Sequence, residues 1–223
     1  PYTTLFRSGL IGLNGAGKST TMKHILGLMT PQGGEVHIQG ATLRKDALQY
    51  RSSLAFVPES PQLYEEMTVR EHLEFTARAY GVEPADYERR SARLIDLFNM
   101  KEKEDSLSMH LSKGMKQKVM IMCAFLIQPS LYIIDEPFVG LDPLGIQSLL
   151  DSMEEMKATG AGILMSTHIL ATAERYCDSF VILHEGKIRA KGTLEDLRRE
   201  FTMPGATLDD IYIQLTKEES DDE

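Results

Sequence analysis

Short apolar runs rich in β-branched residues alternate along this chain with longer segments whose apolar positions recur at helical spacing. Strands are predicted at Gly9 to Leu13, Val36 to Ile38, Ser53 to Val57, Leu131 to Asp135, Gly162 to Ser166 and Ser179 to His184, and a helix over Thr21 to Leu28. Such alternation predicts an α/β fold with a mainly parallel sheet. Leu131 to Ile134 is apolar throughout, so that strand should bury both faces. From Thr68 to Gln128 the pattern turns almost wholly helical, with Leu73, Ala77 and Tyr80, then Leu94, Leu97 and Phe98, at helical spacing. This stretch, about 68–128, is read as a helical subdomain inserted into the sheet domain.

Composition narrows the picture. The chain has 223 residues, 42% of them hydrophobic, enough for one large core or two closely joined lobes. Its formal charge of −9 repels phosphate backbones and anionic lipid surfaces, so no nucleic-acid partner is expected. The basic trio Lys113, Lys116 and Lys118 has no interleaved aromatics and reads as a solvated helix face. Cys123 and Cys177 suit two buried thiols better than a disulfide. The longest apolar run, Val119 to Ile127, falls short of the roughly 20 residues that cross a bilayer. The expectation is a chain soluble on its own, with no direct membrane insertion. His24, His37, His72, His110 and His184 show no metal-ligand spacing and are assigned surface or capping roles. The first eight residues, PYTTLFRS, fit neither a capped helix nor an alternating strand, and one reverse translation of them reads as a sequencing-library adapter. They are expected to be non-native, ahead of a domain over 9–216 and a solvated acidic tail over 217–223.

The strongest chemical signal is GLNGAGKST, from Gly12 to Thr20, lying between a predicted strand and a predicted helix. It matches the phosphate-loop pattern. Gly12, Gly15 and Gly17 let the loop curl, so that the backbone N–H groups of Asn14, Ala16 and their neighbours point at phosphate oxygens, helped by the helix N-terminus. Lys18 would reach the β- and γ-phosphates. Ser19, followed by Thr20, would offer its hydroxyl to Mg²⁺, which takes oxygen ligands. A second signal is Asp135-Glu136 at the end of the Leu131 strand, where open α/β sheets bind ligands. Asp135 can hold Mg²⁺ through water, and Glu136 can polarise an attacking water.

Further residues give these two sites a family context. Leu111-Ser112-Lys113-Gly114-Met115-Lys116-Gln117 resembles the LSGGQ signature of ABC ATPases, Gly140-Leu141-Asp142-Pro143 resembles their D-loop, and His168 follows a strand where they carry a switch histidine. The chain is therefore identified as resembling an ABC transporter ATPase subunit from about Gly9 onward, most like the Ecs-type branch. The resemblance implies an ABC-type P-loop NTPase fold, an ATP + H₂O to ADP + phosphate reaction, and ATP with Mg²⁺ as ligands. It implies Glu136 and His168 as catalytic residues, Ser19, Asp135 and Glu59 at the metal, and Asp142 linking two sites. It also implies a homodimer, in which Ser112, Lys113, Gly114 and Met115 of one chain meet the ATP of the other. A separately encoded membrane permease is the implied partner, with the chain peripheral on the cytoplasmic face of the plasma membrane and export the favoured direction. The alternative is a soluble ABC-type ATPase that remodels ribosome or DNA complexes. Two features depart from the family pattern: Lys113 and Met115 replace Gly and Gln in the signature, and Glu59 replaces the Q-loop Gln. The family also has strands ahead of the phosphate loop, including an adenine-stacking aromatic. Their lack before Gly9 predicts an exposed sheet edge and half an adenine pocket.

Overall fold

A computed structural model describes residues 7–220, and the side chains of 217–220 fall outside it. The proposed non-native start therefore lies outside the described residues up to position 6, as does the tail from 221. In chain order the elements are β1 (Arg7–Ile11), α1 (Lys18–Ile25), α2 (Ala47–Ser52), β2 (Leu54–Val57), α3 (Val69–Ala79), α4 (Pro84–Leu97), α5 (Lys113–Leu126) and β3 (Leu131–Asp135). There follow α6 (Pro143–Ala158), β4 (Gly162–Thr167), α7 (Leu170–Tyr176), β5 (Ser179–His184), β6 (Lys187–Gly192), α8 (Leu194–Glu200) and α9 (Leu208–Ser220). The chain divides into two compact units, one of residues 1–36 with 162–223 and one of residues 37–161.

In the first unit the strands run β4-β1-β5-β6. β1 is parallel to both neighbours, in register from Arg7↔Ile163 to Ile11↔Thr167 on one side and from Ser8↔Ser179 to Ile11↔Ile182 on the other. The strand thus starts at Arg7, two residues before the expected Gly9. The reason is visible: the Arg7 guanidinium pairs with Asp178 at 3.0 Å, and the Ser8 and Ser179 hydroxyls bond at 2.9 Å. Ile11, Phe180 and Ile182 form a floor on which Ala173 of α7, Leu197 of α8 and Leu208, Ile211 and Tyr212 of α9 pack. β6 escaped prediction because it reads Lys-Ile-Arg-Ala-Lys and buries only Ala190. A two-residue turn with Glu185 at φ 48° and Gly186 at φ 76° joins it to β5, the backbone that suits a twisted hairpin. Its exposed lysines and arginine suit the end of a strand order.

The second unit sets β2 parallel to β3, from Leu54↔Leu131 to Val57↔Ile134. β3 buries both faces as expected, with Tyr132, Ile133 and Ile134 fully covered. Helix starts follow local chemistry: Thr68 and Glu71 form a reciprocal capping box on α3, Ser112 caps α5, and Asp142 with Pro143 opens α6. The predicted strand at Val36 to Ile38 does not form. Ile38 makes only an isolated bridge to Ala41, across a turn with Gln39 at φ 50° and Gly40 at φ 78°. A two-residue reversal leaves no length for a ladder. α2 was not predicted; it is a single capped stretch that buries Tyr50.

Candidate nucleotide site

The phosphate loop leaves β1 at Gly12, in the first unit. A Cβ at Gly12 would lie 2.5 Å from the Leu183 carbonyl oxygen and 2.7 Å from the Ala16 Cβ, so only glycine fits. Gly15 and Gly17 take positive φ, 87° and 104°, as the curled backbone requires. Gly186 of the β5–β6 turn donates its N–H to the Ala16 carbonyl at 3.0 Å, which tethers the loop to the sheet. Lys18 is 8% exposed and sends its Nζ to the carbonyls of Gly12 at 2.6 Å and Leu13 at 3.2 Å. α1 begins at Lys18 rather than Thr21 and has no side-chain cap, so Ser19 and Thr20 stand exposed in its first turn. That arrangement concentrates backbone donors and a cation where a phosphate would sit. Asn14 is exposed on the same loop, and Ala16 is buried beneath it. His168 is exposed just past the end of β4, where Thr167 Oγ1 accepts the Ile169 N–H at 3.1 Å and shapes the turn.

The second unit carries the acids. Asp135 ends β3 half-buried, and Glu136 is 9% exposed with φ of 46°, a left-handed conformation that non-glycine residues rarely hold. Strain of this kind collects at functional positions because the surrounding structure fixes a side chain where the chemistry needs it. Glu59 is exposed after Pro58, and the Pro58 carbonyl accepts from Gln117 Nε2 at 3.1 Å. Ser19 in the first unit, and Asp135 and Glu59 in the second, each carry oxygen donors, the ligand type that Mg²⁺ takes.

Signature and D-loop meet through backbone. A Cβ on Gly114 would stand 2.6 Å from the Gly140 carbonyl oxygen, so glycine at the fourth signature position is dictated by the chain's own D-loop. Ser112 is exposed and caps α5 by accepting the Met115 N–H at 3.3 Å; Lys113 is exposed and Met115 half-buried. Asp142 caps α6 through the Gly145 N–H at 2.6 Å and takes a 3.0 Å ion pair from Lys118. The Gly145 amide first, and Lys118 second, hold this carboxyl below the usual carboxylate range. A depressed folded pKa means that its stabilisation is complete at neutral pH and is lost as pH falls through the acid range. Lys118 is thus buried and paired, not part of a solvated face, because one turn of helix carries it under the D-loop. Gln117 and Lys118 are buried polar side chains that tie α5 to Pro58 and to Asp142, contacts that sequence reasoning missed. Gly114→Ala is expected to cost about 1–3 kcal/mol, the usual penalty of overpacking. Thermal unfolding checks this, and an unchanged Tm would contradict the contact.

Among the described residues both cysteines are free, and burial raises their thiols to about 11 for Cys123 and about 12 for Cys177. His72 is buried, not a surface group: its Nδ1 bonds the Thr68 carbonyl at 2.8 Å, and its Nε2 accepts the Tyr64 N–H at 3.0 Å. Tyr64 and Phe75 are exposed and meet edge to face at 5.9 Å. No helix among the described residues is long and apolar enough to cross a membrane.

A family model described as ABC transporter matches residues 6–139. The chain belongs to the ABC transporter family, as an ATP-binding subunit with an ATPase domain. It is 59% identical over 212 residues to the ABC-type transporter ATP-binding protein EcsA of Bacillus subtilis (strain 168), spanning 95% of this chain and 86% of that protein. A solved structure of an ATP binding subunit of an ABC transporter superposes with a TM-score of 0.92 at 60% identity, over 94% of this chain and 88% of the other. The cbiO1 protein of Clostridium perfringens, part of the ABC transporter complex cbiONQ, gives 0.71 at 25% identity, over 89% and 84%. The expected family, its Ecs-type branch and the P-loop NTPase fold all hold.

Proposed function

We propose that the chain works as a head-to-tail homodimer that hydrolyses MgATP to drive a separately encoded permease in the export direction, held at the cytoplasmic face of the membrane by that permease. The observation that carries this reading is a chain holding both a phosphate loop with a buried lysine and a strand-end acid pair whose glutamate is in left-handed backbone. In this reading Gly12, Asn14, Gly15, Ala16 and Gly17 wrap the phosphates, Lys18 neutralises the β- and γ-oxygens, and Thr20 completes the first helical turn. Ser19, Asp135 and Glu59 would hold Mg²⁺, which supplies charge neutralisation at the transferred phosphate. Glu136 takes the proton from the attacking water as it forms its bond to the γ-phosphorus, and ADP leaves on the β-oxygen. His168 donates to the γ-phosphate and keeps Glu136 in register.

Ser112 and the Gly114 N–H give donors to the γ-phosphate of the opposing chain, with Lys113 and Met115 flanking them and Asp142 linking the two sites. With Ser112 and Gly114 retained, the two signature departures are expected to leave activity in place. Loss of phosphate after hydrolysis removes the shared charge partner and opens the dimer, and this movement is what a permease would follow. Exposed Tyr64 and Phe75, close in sequence after Glu59, fit an aromatic contact for that permease. Light scattering tests the dimer: with ATP and a chelator to stop hydrolysis, the mass should be that of two chains, and with ADP that of one. A single-chain mass under both conditions would refute it.

A further inference from the structure

The peptide between Gly12 and Leu13 is gripped from both sides. Its carbonyl oxygen accepts Lys18 Nζ at 2.6 Å, and its N–H donates to the phenol oxygen of Tyr212 at 3.1 Å. A trans peptide is planar, so its N–H and C=O point in opposite directions and rotate together. Fixing the N–H therefore fixes the direction of the carbonyl that holds the lysine. The need for such a grip follows from Gly12, whose missing side chain leaves the peptide free to turn about its own φ and ψ. The Leu13 carbonyl lies one peptide further along, and accepts both the Ala16 N–H at 3.1 Å and Lys18 Nζ at 3.2 Å.

Tyr212 comes from 199 residues away, on α9. Its ring is 5% exposed and packs with Ile11 in the core under α7 and α8, so its position is set by the fold rather than by a mobile surface rotamer. α9 is itself anchored: the Leu208 N–H donates to Glu174 of α7 at 2.7 Å, and Thr207 bonds Asp210. A phenol at a position otherwise suited to a hydrophobic side chain is the residue that both fills the core and reaches a backbone donor. The Leu13 N–H, being taken by Tyr212, is not among the amides that face phosphate.

We propose that Tyr212 is a positioning residue of the nucleotide site: by holding the Gly12–Leu13 peptide it aims the loop carbonyls that seat Lys18, and it ties ATP affinity to the docking of the C-terminal helix α9. The inference rests on the ATP-binding reading above and deepens it. Tyr212→Phe removes one oxygen and keeps the packing. It should raise the KM for ATP and the Kd for a fluorescent ATP analogue about three- to tenfold, the worth of one neutral hydrogen bond. kcat should change by less than about twofold, because the chemistry at Glu136 is untouched.

A purely structural role would instead lower Tm and leave Kd and KM alone, and that result overturns the proposal. Leu13→Pro deletes the donor from the other side. In that background Tyr212→Phe should no longer change KM, since the two residues act through one bond; an undiminished effect would overturn the proposed route. If Leu13→Pro does not fold, the Tyr212→Phe comparison decides alone. The two readings fail differently. A wild-type chain that binds no ATP refutes the nucleotide site itself, whereas wild type and Tyr212→Phe binding ATP equally refutes only the role of Tyr212.

Discussion

Glu136→Gln is expected to lower steady-state ATP hydrolysis by a factor of about 10²–10⁴, the range that one positioned general base supplies. The swap is isosteric and keeps hydrogen-bonding ability, so ATP should still bind with unchanged affinity. Glu136 sits at φ 46° with 9% of its surface exposed, just past the end of a strand in which Tyr132, Ile133 and Ile134 are fully buried. Backbone held so firmly gives the side chain one direction, and an amide in that direction cannot take a proton from water. ATP-loaded dimers should then accumulate, because the step that opens them is blocked. A Glu136→Gln variant that hydrolyses at the wild-type rate would remove the residue from its role.

Lys18→Ala is expected to act one step earlier, on binding. Charge-assisted hydrogen bonds contribute about 1.5–3 kcal/mol each, so losing the ammonium should weaken ATP binding at least tenfold and nearer a thousandfold if two are lost. The same substitution strips Lys18 Nζ from the Gly12 carbonyl and leaves the Leu13 carbonyl with the Ala16 N–H. Some stability should therefore be lost together with affinity, and a melt without nucleotide separates the two effects. Titration with a fluorescent ATP analogue checks the first. Equal affinity in wild type and variant would mean that the loop does not hold the phosphates.

Much of this was legible in the sequence, for physical reasons. The β3 strand was legible because four apolar residues in a row, ended by two carboxylates, leave few alternatives for a short buried strand. The phosphate loop was legible because its glycines and lysine are fixed by local backbone geometry, which a motif records. The start of the strand ahead of it was misplaced: β1 begins at Arg7, where a long-range ion pair to Asp178 decides what local propensity cannot. The Val36 strand failed for the converse reason, since a β-branched run predicts extended backbone but not whether a partner ladder exists.

Within the site, the residue types were readable and their supports were not. Gly114 looked like a phosphate contact, and the structure adds that the Gly140 carbonyl leaves no room for a side chain there. Lys118 read as one of three solvated lysines until helix geometry put it under Asp142. Tyr212 carried no motif at all, because its partner is a backbone amide 199 residues away. Long-range contacts to backbone leave no pattern in a single sequence.

The most direct test of the account is the rate of phosphate release from MgATP by this chain in proteoliposomes, with and without its membrane permease. The account predicts saturable hydrolysis that needs Mg²⁺ and rises when the permease is present. No hydrolysis, or a rate indifferent to the permease, would contradict it.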